Sequence, residues 1–432
     1  MNLNNKKNPE FFILWLCFFV YSVIFGFFFS IFILPKFANL QGPDVTYYNQ
    51  MAINLCLEIK TFGWSHWRLF YTDYTAGQVS FLAILYYFFG ENPHLLIPFS
   101  AFFHSLAGVL IYLIGINFLN EQPAKNFFAF SAAVLFLIFP SSMVWVSQIN
   151  KESYTTAGFF LIFFNTLQIF SRDKVNTQLI KYCIGTLCGI LLIACFRPYL
   201  LQIIFVIFLL LIFFQLIRFL PFNFKKLILY LALLSITFLT YIGFTQNRII
   251  ENELDRYTSL MRSDESWSWQ TSRFIPGFID DKLASLASAR VYFINHGITS
   301  NAKSMIDIDE KPKNVSELMA YLPRAIFVSI FSPFPKDWFK SDGIVKITSS
   351  FEMFFIYISF IGLLFLCWFR YTYIVLICII FTLPALALYG IVNSNIGSIY
   401  RIRYPYEMLL LTSGISGWNF FLDYMNLLKN KK

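Results

Sequence analysis

Charge is scarce in this sequence. Asp, Glu, Lys and Arg make up 13% of the 432 residues, about half the ~25% of an ordinary soluble domain. Histidine is scarcer still. The four (His66, His94, His104, His296) are scattered, with none of the spacing that metal ligands need. Seven cysteines are present, but no CxxC and no Cys/His cluster. Six lie in apolar stretches and only Cys56 falls in an expected loop, so neither a disulfide framework nor a zinc site is expected. GxSxG, Walker, HExxH and GxGxxG patterns are all missing, which leaves hydrolase, ATPase and zinc-protease readings without support. There is no internal repeat, and no low-complexity tract beyond a Phe/Ile bias.

What fills the sequence instead is apolar. Hydrophobic residues reach 57%, aromatics 20% and Phe alone 55 positions, with a mean hydropathy of +0.61. A soluble fold cannot hide that much apolar surface, so lipid is the expected solvent for most of the chain. The net charge of +9 comes from 33 basic against 24 acidic residues. It reads as cationic loops against a cytoplasmic leaflet. No nucleic-acid partner is expected, because no basic stripe accompanies a soluble fold.

The fold class expected is an all-α polytopic membrane protein. Spans are expected at residues 11–34, 95–118, 127–146, 154–170, 182–196, 200–216, 227–244, 354–369, 373–392 and 407–421. The first follows Lys6 and Lys7. It is too long for a signal-peptide core and has no small-residue cleavage site after it, so it is expected to be retained. Two shorter pieces, 78–90 and 318–334, are of the length and kind seen in re-entrant or interfacial segments. If both dip and return, the positive loops at 172–181, 218–226, 370 and 429–432 share the cytoplasmic side. That favours ten full spans, with twelve if both pieces cross. The chain then divides into an N-terminal membrane region 1–244 with a first external loop 35–76, an external insertion 245–319, and a C-terminal membrane region 320–432. Residues 48–62 place apolar side chains at helical spacing, as an interfacial helix would.

On this topology the longer loops share the outer face, and a few ionisable residues stand out there. Asp44 is a carboxylate just past the first span, placed to act as a general base; Asp44 or Thr46 could equally cap the helix that follows. Lys151 and Glu152 sit in a very short turn between two spans, where ionisable residues are functional candidates, or simply a solvated polar turn. Arg197 precedes Pro198 at the membrane boundary, fit to hold a phosphate or to snorkel to headgroups. Arg401 and Arg403 lie on the side disfavoured for cations, which an anionic ligand would explain; solvated loop arginines are the plain alternative. Asn393, Asn395 and Gly397 before them would let backbone amides approach a phosphate.

The opening third, with its long first span, early loop acid, interfacial helix and Gly77-Gln78-Val79-Ser80, resembles the GT-C superfamily of membrane glycosyltransferases, of the protein mannosyltransferase and aminoarabinose transferase type. The segments around Pro140, Lys151-Glu152, Arg197-Pro198-Tyr199, Pro333-Phe334-Pro335 and Arg401-Ile402-Arg403 resemble multi-pass proteins of surface-polysaccharide synthesis. The resemblance implies transfer of a sugar from a polyprenyl-phosphate-type lipid donor to a glycan, lipid or protein acceptor, on the outer face of a bacterial cytoplasmic membrane. Asp44 and Glu152 would be its catalytic acids, and Lys151, Arg197, Arg401 and Arg403 its donor-phosphate ligands. The first loop has Pro-Asp where the family has paired acids. No metal site is carried over and no cofactor is expected. A polysaccharide polymerase or ligase, or a lipid-glycan flippase, are the alternatives.

Overall fold

A computed structural model describes residues 9–37, 40, 43–72, 77–119, 124–171, 177–217, 223–245, 267–302, 304–338, 344–368 and 372–430. These residues form helices and links, with no strand among them beyond one antiparallel bridge between Met305 and Asn395. Helix α1 (Pro9–Phe28) continues through a π turn, Phe29–Ile33. There follow α2 (Pro43–Phe62), α3 (Gly77–Phe89), α4 (Ile97–Leu119), α5 (Lys125–Ile138), α6 (Pro140–Val146) and α7 (Glu152–Ser171). Then come α8 (Thr177–Phe196), α9 (Leu200–Leu216), α10 (Phe224–Thr245), α11 (Gly277–Thr299) and α12 (Val315–Phe331). The chain ends with α13 (Ile344–Trp368), α14 (Thr372–Val392), the short α15 (Ile396–Ile402) and α16 (Tyr404–Lys429).

Crossing a ~30 Å hydrocarbon core takes about 20 apolar residues in a helix. Among the described residues, six helical segments meet that demand: Glu10–Ile33, Pro93–Leu119, Leu179–Phe196, Phe224–Phe244, Ile347–Trp368 and Ile374–Val392. A seventh is the pair α5–α6, if the two form one bent span. The expected span 127–146 is therefore broken, with a bend of 57°. Pro140 opens α6, and a proline has no N–H to continue the hydrogen-bond ladder of α5.

Three expected spans stand outside this set for physical reasons. α9 is short, at 17 residues. α7 and α16 are long enough but more polar, and both are buried along most of their length. A helix wrapped by other helices need not be apolar all round, because its polar groups find partners inside. Gln168 of α7 donates to Asn117 of α4 at 2.9 Å. Thr412, Ser413 and Ser416 of α16 each donate back to a carbonyl one turn earlier. Helices α1 and α10 expose most of their surface, as lipid-facing helices do.

Small residues set how closely α13 and α16 approach. A Cβ on Gly414 would overlap the carbonyl of Ser359, and one on Gly417 would overlap the carbonyl of Gly362. Close backbone approach of this kind is how helices associate where there is no hydrophobic force to drive them together.

Helices α2 and α3 pair into a hairpin with its own small core, built from Tyr48, Ala52, Leu55, Cys56 and Ile59 against Val79, Leu82, Ala83 and Tyr86. Cys56 is therefore not in a loop: it is fully buried on the inner face of α2. Tyr86 Oη donates to Asn49 Oδ1 at 2.5 Å, tying the two helices together. Ile149 joins this core from the turn after α6, which brings the hairpin alongside the residues described next. The insertion preceding α12 is anchored through Arg290. This buried side chain reaches the carbonyls of Asp307 (2.7 Å), Glu310 (2.6 Å) and Ile391 (3.1 Å), and lies over the Tyr321 ring.

Candidate functional site: an arginine hub at one end of the bundle

Four separate stretches of chain meet at the end of the bundle where α2 and α7 begin, α8 ends and α15 lies. Asp44 is in the first turn of α2. That helix opens at Pro43, a residue suited to the first helical position. Asp44 and Thr46 therefore lie inside the helix rather than at its cap, and Asp44 favours the positive end of the helix dipole. Glu152 opens α7, Arg197 follows the end of α8, and Arg401 is on α15.

Arg401 is the hub. Its Nε donates to Glu152 Oε1, its Nη1 to Asp44 Oδ2 at 3.0 Å, and its Nη2 to Asn150 Oδ1 at 3.2 Å. Glu152 Oε1 also accepts from Arg197 Nη2 at 2.5 Å, and its Oε2 accepts the backbone N–H of Lys151 at 2.9 Å. Lys151 holds its ammonium 5.1 Å from the centre of the Tyr48 ring. The sequence singled out neither Asn150 nor Tyr48. Asn150 carries no charge, and Tyr48 looks like one more interfacial aromatic.

Burial divides the roles. The Glu152 and Arg197 side chains are 3% and 7% exposed, whereas Arg401 and Asp44 are 26% and 45% exposed. Burial alone would raise the Glu152 carboxyl, but the guanidiniums of Arg401 and then Arg197 outweigh it and hold it at about 2. Glu152, expected as a catalytic acid, is buried with both oxygens engaged and fixes two guanidiniums in place. Its charge pairing stabilises the fold fully above the ordinary value of 4.5, and that contribution is lost as pH falls toward about 2. The three cations (Lys151, Arg197, Arg401) outnumber the two carboxylates (Asp44, Glu152), so the cluster keeps a net positive charge.

Arg403, expected beside Arg401 as a phosphate ligand, is placed elsewhere. Residues 396–402 form a helix, not a loop, and residues two apart on a helix face nearly opposite ways. Arg403 is fully buried, donating to the Ser329 carbonyl at 2.7 Å and to the Ser332 carbonyl, with its Nε 2.8 Å from Glu407 Oε1. It ties α12 to α16. Arg403→Ala strands a buried Glu407 carboxylate, a loss that typically costs about 3–5 kcal/mol. Thermal unfolding of the purified protein should fall accordingly. Arg403→Met with Glu407→Leu should recover most of it. Full stability in Arg403→Ala would contradict the assignment.

Among the described residues, no group of three or more His, Cys, Asp or Glu side chains is placed to hold a metal ion. No protein-family model matches the sequence, and neither a curated protein nor a solved structure does.

Proposed function

We propose that this chain is a membrane glycosyltransferase that moves a sugar from a polyprenyl-phosphate-type donor to a hydroxyl or amine acceptor, at the outer face of a cytoplasmic membrane. The observation that carries the reading is the convergence of Asp44, Lys151, Glu152, Arg197 and Arg401, from four distant parts of the chain, on one net-positive, partly open cluster at the end of an apolar bundle. A lipid-linked donor needs no nucleotide site. It needs cations for the departing phosphate and a carboxylate to take the acceptor's proton.

The chemistry follows from the exposures. The acceptor O–H or N–H would give its proton to Asp44, the more open carboxylate of the cluster, while its lone pair forms the new bond to the anomeric carbon. The bond from that carbon to the phosphate oxygen breaks, and the electron pair leaves on the phosphate. Arg401 and Lys151 would neutralise it, with Arg197 behind them and Glu152 holding the guanidiniums. In the ligand-free arrangement Asp44 itself occupies one edge of Arg401. A phosphate arriving on that edge displaces the carboxylate and so frees the base.

The test is transfer. Purified protein in lipid nanodiscs, given a radiolabelled polyprenyl-phosphate sugar and a panel of acceptors, should release polyprenyl phosphate in step with product. Absence of both donor binding and transfer across the panel would remove the reading. Ten spans with both termini cytoplasmic belong to the same proposal. In a cysteine-free background, a cysteine placed within 277–299 should react with an impermeant maleimide from outside, and one within 218–226 only after permeabilisation. The reverse at both positions would abolish the common outer face.

A further inference from the structure

Glu352 is the one acidic residue of α13, a largely apolar helix, and is 1% exposed. The reaction drawn above does not use it. Its two oxygens hold two different segments. Oε1 accepts the backbone N–H of Ser141, in the first turn of α6, at 2.8 Å. Oε2 accepts the hydroxyl of Tyr400 on α15. The Ser141 hydroxyl lies 3.5 Å from that of Tyr400, which closes the triangle.

Both held segments deliver the site. α6 runs straight into the turn that presents Asn150, Lys151 and Glu152. Tyr400 is the residue immediately before Arg401. A carboxylate serving only to cap α6 needs one oxygen; the second arm, to Tyr400, has no part in capping. The far end of α15 is fixed separately. There the Asn395 side chain accepts from the N–H groups of Gly397 and Ser398 and from Ser304 Oγ. Tyr400 thus references the Arg401 end of this short helix to α13 and α6, while Arg403 ties the following residues to α12 and α16.

We propose that Glu352 is a positioning residue, a buried clamp that sets Arg401 against Asn150 and Glu152 by holding both parent segments through one carboxylate. Glu352 touches no substrate and acts through Tyr400 and Ser141. The ligand invoked rests on the glycosyltransferase reading, whereas the clamp itself rests on geometry alone.

The test pairs a structural readout with a binding one. Tyr400→Phe cuts one arm without opening a cavity and leaves the Ser141 arm intact. Its thermal unfolding should fall only modestly, because one oxygen of a buried carboxylate loses its donor while the other keeps the Ser141 N–H. Amide hydrogen exchange should quicken in residues 396–403 and not in 141–150. Affinity for a short-chain polyprenyl phosphate in nanodiscs should fall about five- to tenfold, the range of directly coupled neighbours. Glu352→Gln keeps a carbonyl for Ser141 and offers an amide N–H to the Tyr400 oxygen, so it should recover part of that affinity. Glu352→Ala should quicken exchange in both segments, and adding Tyr400→Phe to it should cause no further loss. Wild-type exchange and affinity in Tyr400→Phe would overturn the clamp, as would losses that simply add in the double variant. If Glu352→Ala fails to fold, Tyr400→Phe alone decides. If the wild-type protein holds no polyprenyl phosphate, the glycosyltransferase reading falls, and the exchange data still judge the clamp.

Discussion

Asp44→Asn should lower turnover by about 10²–10⁴-fold, the usual cost of losing a general base, while the protein folds and binds donor. The amide is nearly isosteric and lies in the first turn of α2 rather than in the core. Its effect on binding should run opposite to its effect on rate. Asp44 and the donor phosphate compete for the same edge of Arg401. A half-exposed ion pair of this type contributes about 0.2–1 kcal/mol, so removing the carboxylate should tighten donor binding by up to about fivefold. A variant that binds more tightly and turns over slowly is hard to explain by damage to the fold. Single-turnover rates and the dissociation constant for donor, measured on one preparation, test both halves. Wild-type turnover would end the assignment of Asp44 as base.

The second large effect belongs to Arg401. Its Nε, Nη1 and Nη2 meet Glu152, Asp44 and Asn150 respectively, a three-sided contact that only a planar guanidinium can make. Arg401→Ala should reduce kcat/KM by about 10²–10³-fold, as loss of one charge-stabilising donor does. Arg401→Lys should return only part of that. Some of the damage will be to stability, since Glu152 keeps Arg197 but loses its other guanidinium. Arg401→Lys separates the two effects. It restores a positive charge beside Glu152, so thermal stability should return, whereas activity should return only in part because Lys lacks the planar fork. Activity returning in full along with stability would show that Arg401 serves the fold alone.

The parts of this arrangement that were legible in the sequence are those with a one-dimensional signature. Apolar runs mark helices α1, α8 and α10, which begin two to five residues before the expected spans. Isolated charges beside those runs gave Asp44, Lys151, Glu152, Arg197 and Arg401, all of which meet at one end of the bundle. What escaped depends on neighbours. Cys56 falls in the stretch that reads as an external loop, yet it lies on the inner face of a helix buried against α3. Arg403 seemed equivalent to Arg401 because the 393–406 stretch, with its Asn, Gly and Ser, reads as a loop. A seven-residue helix there turns the two arginines apart. Glu352 did leave a trace, as a lone acid in the run Ser350-Phe351-Glu352-Met353-Phe354. An ionisable residue at such a place is a functional candidate, but its partners on α6 and α15 lie 211 and 48 positions away in the chain.

The glycine contacts between α13 and α16 carry a consequence for that chemistry. Glu352 stands two turns before Ser359 on the same rigid helix, and Ser359 rests on Gly414 with no room for a methyl group. Carbon atoms settle at about 3.5–4.0 Å, so Gly414→Ala must wedge the two backbones apart. The displacement would be carried along α13 like motion along a tiller, swinging Glu352 away from Tyr400 and loosening the seat of Arg401. A very narrow tolerance would then lie where there is no functional group at all, in a hydrogen-only seam inside the bundle. A methyl group added there should blunt activity as a change at the rim does, with every charged residue still present.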